Sequence, residues 1–183
     1  MAYVLGVDVG TSFTAAAIAR TGPGGRQEPQ SFHLGQRAAT IPSVVFLAED
    51  GQVLVGEAAE RRGIEQPERV VREFKRRVGD SVPIVAGERT AAPEDLLATV
   101  ARWVVERATE REGSAPAAVI LSRPASWGGY KSNLLREAMA QAGLPDVSLV
   151  SEPEAAALHY AAQERVSEGS LIAVYDLGGG TFD

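Results

Sequence analysis

Hydrophobic residues along this chain gather into short continuous runs at its two ends and recur at helical spacing in between. Tyr3 to Val9 is apolar apart from Gly6 and Asp8, and Phe13 to Ala19 follows after Gly10-Thr11-Ser12. This predicts a buried strand, a tight turn and a hairpin partner. Gly22-Pro23-Gly24-Gly25 reads as a loop. Ser43 to Ala48 and Gln52 to Val55 form a second predicted hairpin around Glu49-Asp50-Gly51, since Asp-Gly between apolar runs is a strong hairpin signal. A charged helical stretch then leads to Lys75. Over Pro93–Glu112 the residues Leu96, Leu97, Val100, Val104 and Ala108 recur at helical spacing behind a first turn of Pro, Glu and Asp, and Gly113 ends the helix. Ala117 to Leu121 is a strand and Tyr130 to Ala142 a helix, closed by Gly143 with Leu144-Pro145 behind it. Val147 to Val150 is a strand, Ser151 and Glu154 form a capping box for the next helix, and Leu171 to Tyr175 is a last strand.

A hairpin followed by alternating helices and strands makes the fold α/β, with a mixed sheet flanked by helices. Residues 43–92 interrupt the alternation and are expected to form a small inserted α+β subdomain. The core subdomain is then discontinuous, 1–42 and 93–183.

Composition narrows the function. Among 183 residues there is no cysteine, which removes disulfides, thiolate metal sites and thiol nucleophiles and makes the cytoplasm the default compartment. The amino terminus has no basic region and carries Asp8 inside its only apolar run, so no signal peptide is expected, and no stretch reaches the ~20 apolar residues of a membrane span. A net charge of −6 argues against nucleic acid as a partner. The local exception is Arg61 to Arg77, where seven basic residues (Arg61, Arg62, Arg69, Arg72, Lys75, Arg76, Arg77) face three acids (Glu65, Glu68, Glu73). Phe74 is the only aromatic there, so a solvated face with one lysine available for a phosphate is preferred over a stacking surface.

The candidate chemistry sits in two segments of matching order. Asp8-Val9-Gly10-Thr11-Ser12-Phe13 and Asp176-Leu177-Gly178-Gly179-Gly180-Thr181-Phe182-Asp183 each follow an apolar strand and place an aspartate ahead of a glycine and threonine turn. Glycine lets backbone N–H groups approach an anion closely, and the aspartate suits a hydrated Mg²⁺, which binds through one or two carboxylates and keeps most of its waters. Two such turns suggest paired phosphate clamps across a nucleotide cleft. His33 and His159 match no metal spacing, and Trp103 and Trp127 read as packing residues.

In order and spacing the chain resembles the ATPase domain of the seventy-kilodalton heat-shock chaperones, within the actin-like, ribonuclease H-like superfamily that includes sugar kinases. The two glycine turns carry the resemblance, together with Ile41-Pro42-Ser43-Val44-Val45-Phe46, Phe74-Lys75-Arg76-Arg77-Val78-Gly79 and Ser151-Glu152-Pro153-Glu154-Ala155-Ala156-Ala157. It covers the whole chain and corresponds to the first lobe of that domain. The resemblance implies ATP or ADP with Mg²⁺, and K⁺ as a further candidate ion. The amides of Gly10, Thr11, Ser12 and Phe13, with Gly178, Gly179, Gly180 and Thr181 opposite, would hold phosphates. Asp8, Asp176, Glu152 and Asp183 would hold the metal mostly through water, and Lys75, Glu152, Asp176 and Thr181 would be catalytic. In the full-length protein it implies co-chaperones and unfolded peptide as partners.

Pro124-Ala125-Ser126-Trp127 departs from the family, which has an aromatic directly after Pro-Ala and an arginine where this chain has Ser132; Lys131 sits one position early. A non-catalytic actin-like nucleotide switch or interaction module is therefore the alternative. Because the base is gripped mainly by the second lobe in this family, nucleotide binding by the 183 residues is expected to be weak or absent. The unpaired Leu171–Tyr175 strand predicts a frayed tail or self-association.

Overall fold

The computed structural model describes residues 2–21, 25, 27–164, 167, 169–175 and 178. Its centre is a six-stranded mixed sheet. Strands β1 (Tyr3–Val9), β10 (Ala118–Arg123) and β11 (Val147–Ser151) run parallel, in the order β11-β10-β1. On the other side of β1 lie antiparallel β2 (Phe13–Thr21) and β3 (Gln27–Ser31), and the short β4 (Ile41–Pro42) also pairs with β2. The predicted first hairpin is present, extended by two residues. Tyr3, Leu5, Val7 and Val9 alternate into a core with Leu96, Leu97, Val100, Val104 and Ala108 of α2 (Pro93–Glu112) and Leu135 and Met139 of α3 (Gly129–Gln141). The period-2 pattern of one strand thus meets the helical stripes of two helices.

The 43–92 segment holds β5 (Val45–Leu47), β6 (Val53–Val55), α1 (Glu57–Gly63), β7 (Val70–Val71) and the hairpin β8 (Ile84–Ala86) and β9 (Arg89–Ala91). The predicted β5–β6 hairpin forms, with Gly51 at φ 91° and Asp50 Oδ1 accepting the Gln52 N–H at 2.9 Å. Both faces of β5 are covered: Val45 and Leu47 enter the main core, and Phe46 packs with Val44 and Ala59 in a small second cluster.

Three elements differ from expectation. Strand β3, of sequence Gln-Glu-Pro-Gln-Ser, carries no hydrophobic signal and exists because β2 offers it a ladder; as an edge strand it tolerates Pro29. The charged stretch toward Lys75 is not one helix. α1 stops at Gly63, where a Cβ would collide with the Val70 side chain, and 3₁₀ turns follow at Pro67–Arg69 and Phe74–Arg77. Leu171 to Tyr175 is not a strand: Leu171, Ile172 and Tyr175 are exposed, and no ladder engages the segment among the described residues. Its five apolar residues have β-propensity, but a strand exists only where its backbone groups find a neighbour.

The two ends of the β2–α2 layer are tied by Arg20, whose Nε and Nη2 donate to both carboxylate oxygens of Glu112 at 2.9 and 2.6 Å. That hydrogen bond holds the Glu112 carboxyl below its usual range. A lowered folded-state value means the contribution is complete above the ordinary glutamate range, about pH 4.3, and is lost as pH falls through the folded value. We expect Glu112→Gln to lower the urea midpoint at neutral pH. The gap to the parent should narrow as pH falls below ~4, and a gap constant from pH 7 down through the acid range would contradict this.

Candidate functional site

Asp8 is the next-to-last residue of β1 and lies on the sheet face opposite the buried Tyr3, Leu5, Val7 and Val9, so the strand's alternation delivers an exposed carboxylate from a buried strand. The Gly10–Phe13 turn follows. The Gly10 N–H donates to the Phe13 carbonyl at 3.0 Å, and a Cβ on Gly10 would lie 2.5 Å from that same oxygen. Gly10 is therefore a steric requirement of the turn, its own amide engaged. No acceptor among the described residues takes the amides of Thr11 or Ser12. The turn is anchored from below: the Ser43 N–H donates to the Ser12 carbonyl at 2.8 Å, and the buried hydroxyls of Thr14 and Ser43 lie 2.9 Å apart. A cavity of about 320 Å³ opens beside it, against Thr11, Ser12, Phe13, Pro42, Arg72 and Glu73.

Lys75 reaches this place from the 43–92 segment. Glu73 has φ 54°, the only non-glycine residue with positive φ among those described. A left-handed non-glycine costs on the order of 1 kcal/mol. The conformation starts the 3₁₀ turn that buries Phe74 and Lys75 while Arg76 and Arg77 stay outside. Lys75 is 4% exposed, Glu152 is 10% exposed at the first position of α4 (Glu152–Gln163), and Nζ donates to Glu152 Oε1 at 2.6 Å. Asp8 Oδ1 lies 4.0 Å from the same ammonium. One buried cation thus sits between two carboxylates, the three groups coming from distant parts of the chain. A plain surface role for Lys75 is ruled out by its burial.

The capping motif that places Glu152 is half formed. Ser151 Oγ accepts the Glu154 N–H at 3.3 Å, and no return bond from the Glu154 carboxylate is present among the described residues. The rest of the basic run behaves as a solvated face, with Arg62 on Glu65, Arg72 on Glu60, Arg76 on Glu73 and Arg77 on Asp80. Arg69 differs: it is buried and held by Glu49, clamping the β5–β6 turn.

Of the second glycine turn, Gly178 is exposed, and Asp176, Gly179, Gly180, Thr181 and Asp183 lie outside the described residues. Among the described residues no group of three His, Cys, Asp or Glu could enclose a metal. The donor set fits Mg²⁺ held largely by water: Asp8 has an oxygen, Oδ2, that takes no protein donor among the described residues.

Two further residues were invisible in the sequence. Ser122 Oγ donates to Asp8 Oδ1 at 2.7 Å, a contact that depends on the register of β10 against β1. Arg123 Nη1 donates to the carbonyls of Pro124 and Trp127, both at 3.0 Å, while Lys131 lies over the Trp127 ring at 5.9 Å. Arg123 thus bridges two carbonyls of the turn that follows β10. A larger cavity of about 450 Å³, between α2, α3 and β6, holds none of the predicted site residues.

A mixed sheet in this strand order, with carboxylates and a buried lysine gathered at its Gly-Thr turn, defines an actin-like α/β lobe. The family model described as "Hsp70 protein" matches residues 4–91 and 81–183, and the chain belongs to that family. It is 37% identical over its whole length to "Chaperone protein DnaK" of Elusimicrobium minutum. It is 33% identical to proteins of the same name from Thermotoga petrophila and Methanothermobacter thermautotrophicus, over 99% and 98% of the chain. The chain spans 29% of the length of the first and 30% of the other two.

Proposed function

We propose that this protein binds ATP with Mg²⁺ and hydrolyses it to drive a chaperone-like conformational cycle in the cytoplasm, with co-chaperones and unfolded peptide as partners of the intact molecule. The observation that supports this best is the buried Lys75 ammonium, held 2.6 Å from Glu152 and 4.0 Å from Asp8 beside a phosphate-type turn. On this reading residues 43–92 are a subdomain inserted between 1–42 and 93–183 to carry Lys75 into the cleft.

The chain's residues would act by position and charge. The amides of Thr11 and Ser12 meet phosphate oxygens, and Gly10 keeps the turn tight enough for them to converge. Lys75 supplies positive charge where the transferred phosphoryl group and attacking water gather negative charge, the main source of acceleration in a reaction without a covalent intermediate. Glu152 fixes the lysine in its buried position. Asp8, with Asp176 and Asp183 from the second turn, orients the water shell of the cation, and Thr181 positions the attacking water. A Mg²⁺ held there would supply positive charge against the phosphate oxygens.

In calorimetry on the intact protein, ATP affinity should be strongly Mg²⁺-dependent, and Asp8→Asn should remove most of that dependence while leaving affinity in EDTA nearly unchanged. Phosphate release should follow the same pattern. ATP binding that ignores Mg²⁺, or none at all, would overturn the proposal.

A further inference from the structure

We propose that Ser122 is a positioning residue for the nucleotide-associated divalent cation, acting through Asp8; this rests on the nucleotide reading above. Asp8 has two lateral neighbours in the sheet. On the β2 side its register partner is Ala15, which has no donor. On the β10 side, Val7 pairs with Leu121, so the next residues, Asp8 and Ser122, are level on adjacent parallel strands and share a face. Strands in a sheet lie about 4.8 Å apart, a gap that one hydroxyl and one carboxylate can close. The Ser122 hydroxyl does close it, donating to Oδ1 at 2.7 Å, the length of a charge-assisted bond.

The division of the two oxygens follows. Oδ1 accepts from Ser122 and is the oxygen 4.0 Å from Lys75 Nζ, while Oδ2 takes no protein donor among the described residues. A carboxylate on a half-exposed aspartate otherwise turns freely about its last torsion, which is broad for this side chain. Pinning Oδ1 at the sheet leaves Oδ2 in one orientation, ready for a water of the metal shell. Ser122 touches neither phosphate nor metal in this scheme. It removes the reorientation that Asp8 would otherwise make each time the cation arrives.

The test compares Ser122→Ala and Ser122→Thr with the parent in the intact protein, using calorimetry with ATP in Mg²⁺ and in EDTA. Losing a hydrogen bond to a charged group should lower the Mg²⁺-to-EDTA affinity ratio about tenfold in the alanine variant. The EDTA affinity should not move, and threonine, which keeps the hydroxyl, should restore the ratio. An alanine ratio within about twofold of the parent's would overturn the role of Ser122. A parent that shows no Mg²⁺ effect would instead overturn the nucleotide reading. In that case crystal structures of the parent and the alanine variant decide the positioning role: a rotated Asp8 carboxylate in the variant supports it, and an unchanged one rejects it.

Discussion

Lys75→Ala in the intact protein is expected to lower single-turnover ATP hydrolysis by about 10²- to 10³-fold, the usual loss when one placed charge is taken from a phosphoryl or acyl transition state. ATP binding should fall much less, because the turn amides and the cation remain. The substitution also has a structural cost. Lys75 and Glu152 are 4% and 10% exposed, and their 2.6 Å contact joins the Phe74–Arg77 3₁₀ turn to the start of α4. Removing one partner of a buried pair is costly, a loss of about 3–5 kcal/mol. A drop in activity by Lys75→Ala therefore has two causes that must be separated. The double variant Lys75→Met, Glu152→Gln removes both charges and should recover most of the stability, since an apolar or neutral replacement of a buried pair is often near neutral. It should not recover turnover. Urea melts and phosphate release on the same samples distinguish the two. If the double variant hydrolyses ATP as the parent does, Lys75 serves the fold and the non-catalytic switch becomes the better account.

Gly10→Ala should be nearly as severe, for a different reason. The methyl would sit 2.5 Å from the Phe13 carbonyl oxygen, closer than side-chain atoms approach backbone oxygens, and that oxygen is already the acceptor of the Gly10 N–H. Relief requires the turn to open, which breaks this hydrogen bond and pulls on the Ser43-to-Ser12 bond behind it. We expect a destabilisation of about 1–3 kcal/mol, the usual range for an overpacked site. ATP affinity should fall by more than tenfold, because the amides of Thr11 and Ser12 would no longer converge. Retained affinity with lowered stability would show that the turn is structural and that phosphate is held elsewhere.

Much of the fold was legible in the residues. The first strand, its turn and its hairpin partner, the Asp-Gly hairpin, and the helices at 93 and 130 form where pattern, caps and turn residues agree. The misses share a cause. Strand β3 has polar residues and a proline, and the ladder offered by β2 outweighs its composition. Leu171 to Tyr175 has a strand's composition, and no ladder engages it among the described residues. The charged stretch before Lys75 has helical composition but stops at Gly63, and Pro67 opens a separate 3₁₀ turn beyond it.

The same division holds in the site. Local chemistry marked Asp8 and the Gly10 turn, whose residue types suit phosphate and metal, and the family resemblance added Lys75 and Glu152. It could not say that Lys75 is buried or that Glu152 is its partner 77 residues away, nor could it find Ser122 or the carbonyl clamp of Arg123. Turns, caps and apolar periods are contests among neighbouring residues, so the chain settles them wherever it lies. Strand register, the burial of a charge and its choice of counter-ion are contests among distant groups. They are settled only when the sheet brings those groups within a few ångströms and excludes the water that would otherwise satisfy them.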